Sequence, residues 1–408
     1  MRSILFLTSN FPKPLDGGGK IRDFHILEHL SRDHRVTVAG FRDRELGERE
    51  AFLDFVPRER CHLVSEPPAL SVREFVRLRS LPRWCLSYFS RELQALIDRL
   101  IQTGDFDRVH ISHSYMAWYL LDHLDAIPCV IDHHNVKSRF FQNAFESTTR
   151  WTEKIAYLAE RKRWLRYEDE IIALFDEHIC CSREEQALIR EMTGKRVHLL
   201  PSGVDTRGFR KRAEPLAGAN LLFTGSLDYF PNAQAITHFC NECLPAIRAA
   251  VPDVTLQVVG KNPGRPVERL LERTPSVWYS YNVRDIRPFY YQSTVFVVPL
   301  LTGAGTRLKI LEAMATGLPV VSTAKGCEGL GLGEREGIFI EDDPQSMAAT
   351  IVRLLRDDHH RETAGQAAFE ACRARFAWDR LLSEADPAIF AGQGEAGPAA
   401  ASLPGSVL

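Results

Sequence analysis

Arg307, Lys309 and Glu312 fall within six residues of each other in the run PLLTGAGTRLKILEAMATGLPVVSTAKGCEG, residues 299–329. Two cations and a carboxylate follow a turn carrying Gly303 and Gly305, and glycine permits backbone conformations that a side chain forbids. The helix opening there offers unpaired N–H groups and the positive end of its dipole, an arrangement suited to an anion. Thr306, Lys309 and Glu312 are spaced three apart and so follow one another along a helix face, leaving Leu308, Leu311 and Ala315 for the core. Such an edge could hold a sugar nucleotide. Lys309 and the N–H groups would take the diphosphate, and Glu312 could accept from ribose hydroxyls. A well-capped helix with a solvated Lys–Glu pair explains the same residues, and helix and charge alone do not separate the two.

Two further groups could do chemistry. Asn10-Phe-Pro-Lys-Pro-Leu-Asp-Gly-Gly-Gly19 lies between an apolar run and a helical pattern. Gly17, Gly18 and Gly19 permit close backbone approach to a phosphate or sugar, with Lys20 and Arg22 next; a flexible surface loop is the plainer alternative. Asp132-His133-His134-Asn135 follows the apolar run PCVI. Polar residues at the carboxyl end of a parallel strand sit where ligands dock. A metal site on the two histidines lacks a third ligand at defined spacing. Asp105-Phe-Asp107 precedes a strand pattern and reads as a turn with local hydrogen bonds. No metal is expected.

The elements that must position these groups alternate in type. Strands are expected at 3–8, 35–41, 108–112, 128–132 and 177–181. The helical patterns of this half fall at 20–32, 70–102, 115–123, 138–176 and 183–192. The second half restarts with strands at 220–224, 254–259, 276–279, 294–298 and 319–322. Its helices are expected at 232–250, 265–273, 284–291, 306–316 and 344–356. Short apolar runs bounded by Gly and Pro and alternating with helices indicate parallel sheets covered on both faces. The fold class is therefore α/β, with two doubly wound Rossmann-like domains facing a central cleft. The expected division is an N-terminal domain over 1–200, a linker over 201–215 and a C-terminal domain over 216–375. A C-terminal helix over 376–391 that can cross back to the first domain and a disordered Gly/Pro/Ala-rich tail over 392–408 complete it.

Composition agrees. The chain has 408 residues, too many for one ordinary core, and 45% are hydrophobic, enough to fill two. A net charge of −2 argues against nucleic acid as the main partner. No apolar run approaches the ~20 residues needed to span a bilayer, and MRSILFLTSNFPKP reads as a first strand rather than a leader. The nine cysteines show no disulfide framework, and Cys240-x-x-Cys243 has no second pair to complete a zinc site. Reduced cysteines in a cytoplasmic protein are expected. The stretch 71–93 mixes arginines with aromatic residues. It either rests on an anionic membrane surface at the inner face or packs its aromatic side inward as an ordinary surface helix.

The run GTRLKILEAMATGLPVVST resembles the donor-site signature of family-4 retaining glycosyltransferases of GT-B fold. It is closest to a subgroup with Gly-x-Gly-Thr-Arg-Leu-Lys before the glutamate, found in bacterial polysaccharide and secondary-metabolite clusters. The family's pair of glutamates separated by seven residues is represented only by Glu312, because position 304 is Ala304. The resemblance implies that Gly17, Gly18 and Gly19 meet the donor diphosphate. It also implies that Asp132, His133, His134 and Asn135 meet the acceptor or sugar, with His134 at the reacting sugar carbon. In Phe223–Asn232, Gly225 and Ser226 could donate to the diphosphate, but the Arg and Lys of many relatives are missing; Asp228 and Asn232 stand in that neighbourhood. Asn282 and Val283 fall where similar proteins touch the base, and Glu328 either lines the same pocket or closes a turn.

These implications amount to a hexosyltransferase that moves a sugar with retention from a nucleotide diphosphate, a UDP-sugar by expectation, to a hydroxyl of a glycan, glycolipid or small natural product. His134, Arg307, Lys309 and Glu312 would carry catalysis, without a cofactor, by front-face substitution. Two rivals remain, a nucleotide-sugar epimerase of the same fold and a non-catalytic nucleotide-sugar-binding partner of another transferase.

Overall fold

A computed structural model describes the chain except for residues 16, 43–52, 68–70, 72–77, 149, 214–217, 304–306 and 391–408. The chain divides into two compact units. The first comprises Met1–Pro201 with Leu382–Leu408, the second Ser202–Leu381.

Unit 1 is built on a seven-stranded parallel sheet in the order β3-β2-β1-β4-β5-β6-β7. Its strands are β1 (Ser3–Thr8), β2 (Arg35–Phe41), β3 (Cys61–Val64), β4 (Arg108–Ser112), β5 (Cys129–His133), β6 (Glu177–Cys180) and β7 (Arg196–Leu199). β4 and β5 are buried along their whole length, polar residues included, because a parallel sheet is covered on both faces. Helices Gly18–Asp33, Arg91–Thr103 and Trp151–Glu170 are among its covering layers. Arg91–Thr103 starts where the Ser90 hydroxyl accepts from Leu93 N–H, satisfying one orphan donor of the first turn. The core gathers Leu5, Leu7, Ile111, Ile131, Tyr119 and Trp164, among others.

Unit 2 carries a six-stranded parallel sheet in the order β10-β9-β8-β11-β12-β13. These strands are β8 (Asn220–Ser226), β9 (Thr255–Lys261), β10 (Val277–Tyr281), β11 (Val295–Val298), β12 (Val320–Ser322) and β13 (Ile338–Ile340). All four residues of β11, VFVV, are buried at the sheet centre. The long helical stretch after β8 is not continuous: Phe230–His238 and Leu244–Ala250 are joined by a π-helical turn, Phe239–Cys243. Cys240 and Cys243 lie in that turn, both buried in the core rather than arranged for a metal.

Residues 202–213, expected as part of a linker, pack within unit 2. Val204 N–H donates to Phe376 O at 2.8 Å, and an Arg212 guanidinium nitrogen to Ser293 O at 2.8 Å. The last helix, Trp378–Ile389, contains the division between the units. Within unit 1, Asp386 meets His29 at 3.2 Å, and Phe390 lies 5.9 Å from the His110 ring. The tail 392–408 lies outside the described residues.

Part of 71–93 also lies outside them. In the remainder, Trp84, Tyr88 and Phe89 pack on the unit 1 core while Arg83 pairs with Glu160, so the aromatic side faces inward. Among the described residues no helix is long and apolar enough to cross a membrane.

Candidate functional site

In each sheet the strand order reverses beside the first strand of the unit, between β1 and β4 in unit 1 and between β8 and β11 in unit 2. The loops leaving such a pair diverge to opposite faces and open a crevice beyond the carboxyl ends of the strands, where open α/β sheets bind ligands. Each unit gathers polar groups there.

In unit 1 a cavity of about 310 Å³ occupies this position. Ser9, Asn10 and Gly17 line it from the loop after β1, Gly19, Lys20 and Asp23 from the helix Gly18–Asp33, His113, His134 and Asn135 from beyond the ends of β4 and β5, and Lys137 from the start of the helix Lys137–Ser147. Gly17 N-caps the helix in an extended conformation and has no side chain to cap it. A Cβ on Gly19 would stand 3.2 Å from ring atoms of both His113 and His134, so glycine sets how closely the helix approaches the imidazoles. Gly18 is exposed beside them.

His134 and Asn135 are thus brought to the cavity with the glycine loop, whereas Asp132 and His133 are turned away from it. Arg22 grips Asp132 with two hydrogen bonds, at 2.8 and 2.9 Å, and donates a third to Leu200 O at 2.9 Å. Both partners are almost wholly buried. Arg22 is therefore a fastener for the glycine helix rather than the anion-facing cation its sequence position suggests. His133 hydrogen-bonds His178 at 3.1 Å inside the sheet. Since His133 and His134 point to different surroundings, they do not form a metal pair.

Asp23, His113 and Lys137 were not identified from the sequence. Asp23 is buried and accepts from Thr8 Oγ1 at 2.8 Å and Ser112 Oγ at 2.7 Å, with His134 Nε2 3.4 Å away. Burial raises its carboxyl pKa against the pull of His113 and these two hydroxyls. Burial also holds His134 neutral, with a pKa pushed down to about 3. His113 has φ +73°, a left-handed conformation uncommon outside glycine, and its ring lies 3.7 Å from that of His134. One helical turn separates Gly19 from Asp23, and a single residue, Val136, separates Asn135 from Lys137. These spacings are the only trace of the cluster in the sequence.

In unit 2, Arg307 N-caps the helix Leu308–Ala315 with φ −87° and ψ 68°, and no side chain caps that end. Gly305, Thr306 and Ala304 lie outside the described residues. Leu311 and Ala315 are buried with Ile310, Ala313 and Met314, which turns Lys309 and Glu312 toward the carboxyl end of β8. The Lys309 ammonium donates to Asn232 Oδ1 at 2.9 Å and sits 4.9 Å from the centre of the Phe223 ring. Among the described residues it makes no ion pair within 4.0 Å. Burial, and then Arg307, push its pKa down to about 7. Glu312 accepts from the Tyr290 hydroxyl at 2.7 Å, and burial raises its pKa.

Gly225 lies against this group: a Cβ there would come within 2.7 Å of Lys309 Nζ and 2.8 Å of Asn232 Nδ2. Asn232 Nδ2 donates to Ser226 O at 2.8 Å, and the Ser226 hydroxyl is engaged by Asp228 at 2.7 Å. Gly303 has φ +111°, and a Cβ there would stand 3.2 Å from Pro231 and 3.5 Å from an Arg307 guanidinium nitrogen. Val283 is partly buried on the unit 2 core next to Asn282, which takes a left-handed φ of +54°. Glu328 is engaged by Lys325 at 2.6 Å on the surface, a local turn contact. Asp107, in the earlier Asp-x-Asp, accepts from Ser3 N–H at 2.7 Å, a long-range bond to the start of β1 in place of the local turn bond expected.

Comparisons with known proteins agree with this layout. Residues 17–207 match the family model for Glycosyltransferase Family 4, and residues 218–357 that for Glycosyl transferases group 1. A Klebsiella pneumoniae protein described as an uncharacterized 44.6 kDa protein in the cps region is 27% identical over 370 residues, 88% of this chain and 92% of its own. Among solved structures, sucrose-phosphate synthase from Thermosynechococcus elongatus superposes with a TM-score of 0.67 at 19% identity, covering 95% of this chain and 98% of that one. HepE of Anabaena, solved with UDP-glucose, gives 0.62 at 16% identity, covering 96% and 100%. The chain therefore carries a glycosyltransferase family 4 domain followed by a glycosyl transferases group 1 domain, and it is a glycosyltransferase of the GT-B type.

Proposed function

We propose that the protein is a retaining hexosyltransferase that moves a sugar from a UDP-sugar to a hydroxyl of a glycan, glycolipid or small natural product. Unit 2 holds the nucleotide and unit 1 the acceptor. One observation carries the reading: Lys309 is a poorly solvated cation whose hydrogen-bond partner is a neutral amide, Asn232. Glu312 offsets that burial only in part, and a diphosphate supplies an anion in contact with the ammonium. Arg307 and the uncapped N–H groups of the helix add to the field, and Glu312 is placed to accept from ribose hydroxyls. In the transfer these donors stabilise the charge that grows on the departing diphosphate. The sugar leaves and the acceptor hydroxyl arrives on the same face, with the diphosphate oxygen taking the hydroxyl proton. Neutral His134 lies on the acceptor side with Asn135. No metal is required, since the cations of the chain supply the charge.

UDP-glucose bound to HepE, of the same fold, supports the donor class. The test is titration of the full chain with UDP- and dTDP-sugars, followed by assays of transfer, donor hydrolysis and epimerisation, and NMR of the product's anomeric linkage. Binding of UDP-sugar with transfer and retained configuration is expected. A Lys309→Met variant that binds and turns over donor normally would overturn the diphosphate assignment. Interconversion of sugars without transfer would mark an epimerase, and binding without turnover a non-catalytic partner.

A further inference from the structure

Lys137 is a second cation removed from solvent, and it lines the unit 1 cavity. Its ammonium donates to Asn135 Oδ1 at 2.6 Å and lies 4.8 Å from the centre of the Trp84 ring and 5.6 Å from that of Tyr115. The carboxylates nearest to it by charge are Glu185 and Glu168. Glu185 is engaged by Val136 N–H at 3.1 Å and Cys181 N–H at 3.3 Å, and Glu168 accepts from Ser138 N–H at 3.1 Å through one oxygen while its other oxygen is buried with no hydrogen bond among the described residues. Neither comes within 4.0 Å of Lys137 as an ion pair. Burying an ammonium against an amide and two aromatic faces is costly unless something anionic completes its shell.

The same cavity presents Asp23 and His134, groups suited to a hydroxyl. We propose that unit 1 binds an acceptor carrying an anionic group, phosphate or carboxylate, with Lys137 and Asn135 holding the anion while Asp23 and His134 hold the hydroxyl that receives the sugar. This rests on the glycosyltransferase reading and narrows its acceptor to an anionic class. Specificity follows from geometry: a neutral polyol gives Lys137 no ion pair within the cavity and forfeits that contribution.

The test uses the full chain saturated with UDP, so that the unit 2 cations are occupied, and titrates glycerol 3-phosphate against glycerol by calorimetry. Glycerol 3-phosphate is expected to bind at least ~10-fold more tightly than glycerol, a difference of about 1.4 kcal/mol. Lys137→Met should abolish that preference and Lys137→Arg restore part of it, with UDP affinity unchanged in both. Vesicles containing phosphatidylglycerol, compared with free glycerol 3-phosphate, assign the anion to a lipid headgroup or to a soluble phosphate; Lys137-dependent binding of either supports the proposal.

Equal binding of glycerol and its phosphate by the wild-type protein would overturn it, even if the variants fail to fold. Loss of the Lys137-dependent binding when UDP is added would also overturn it, since the anion there would then be the donor's. Failure to bind UDP, with the Lys137-dependent preference intact, would instead remove the donor reading and leave the anion site standing.

Discussion

Binding of donor to unit 2 should depend on pH through Lys309. Its pKa is displaced from the ordinary 10.5 to about 7 because the ammonium is poorly solvated and stands beside Arg307. That displacement corresponds to about 5 kcal/mol of penalty on the charged form. UDP-glucose does not titrate between pH 6 and 8.5, and its diphosphate needs the ammonium. The ammonium fraction of the free protein falls from roughly 0.9 at pH 6 to roughly 0.03 at pH 8.5. Affinity should therefore weaken by about 30-fold across that range, or about 2 kcal/mol. At pH 8.5 each bound donor should draw in about one proton, because the diphosphate returns the pKa toward its ordinary range. Calorimetric titration in HEPES and in Tris measures both quantities, since the two buffers differ in ionisation enthalpy. An affinity that holds constant from pH 6 to 8.5, with no proton uptake, would refute the charge argument. Lys309→Met should lose donor affinity and flatten what pH dependence is left.

The same shift predicts a stability effect of opposite sense. A lysine whose folded pKa lies below its unfolded one binds fewer protons when folded, so the protein gains stability as pH climbs from about 7 toward 10.5. Lys309→Met removes the buried charge and should raise the melting temperature at pH 6 by about 3 °C or more while abolishing donor binding. Gly225→Ala drives a methyl into Lys309 and Asn232 and should weaken UDP-glucose by about tenfold or more with the fold retained, as read by the same titration and circular dichroism. Arg22→Met leaves Asp132 buried and unpaired. It should destabilise unit 1 by about 3–5 kcal/mol in urea unfolding, and adding Asp132→Leu should recover much of the loss. Gly19→Ala must push back two imidazole rings and should slow transfer without lowering donor affinity in unit 2, a split that kinetics with saturating donor reveals.

Much of the scaffold could be read from periodicity. Runs such as SILFLT and VFVV are short, apolar and bounded by breakers, and they became central strands with nearly the expected limits. The strands that escaped notice, Cys61–Val64, Arg196–Leu199 and Ile338–Ile340, end their sheets, where one flank faces away from the core and the apolar signal thins. The helix Asp358–Arg375 was missed because its core contacts are made by Ala364, Ala368, Gly365 and Cys372, residues too small to mark an apolar stripe. In the candidate sites the legible part was local. Lys309 and Glu312 sit on one short helix behind a glycine turn, and His134 follows a strand. Asp23, His113 and Lys137 come from three separate elements, and only the parallel order of β1, β4 and β5 places those elements side by side. The sequence offered Arg22 as a ligand-facing cation because it follows three glycines; its partner, Asp132, lies 110 residues away.

That bond between Arg22 and Asp132 sets limits on how the protein can diversify. One guanidinium joins the helix behind the glycine loop to the strand that delivers His134, and to the chain end after β7. Substitution of either partner alone strands a charge in the interior, so lineages should exchange the two together or keep both. Retuning toward new acceptors is left to positions that hang from this fixed frame without supporting it, Lys137 and Asn135 foremost. A change of acceptor in descendants of this chain should therefore be written at those two residues while the frame stays as it is.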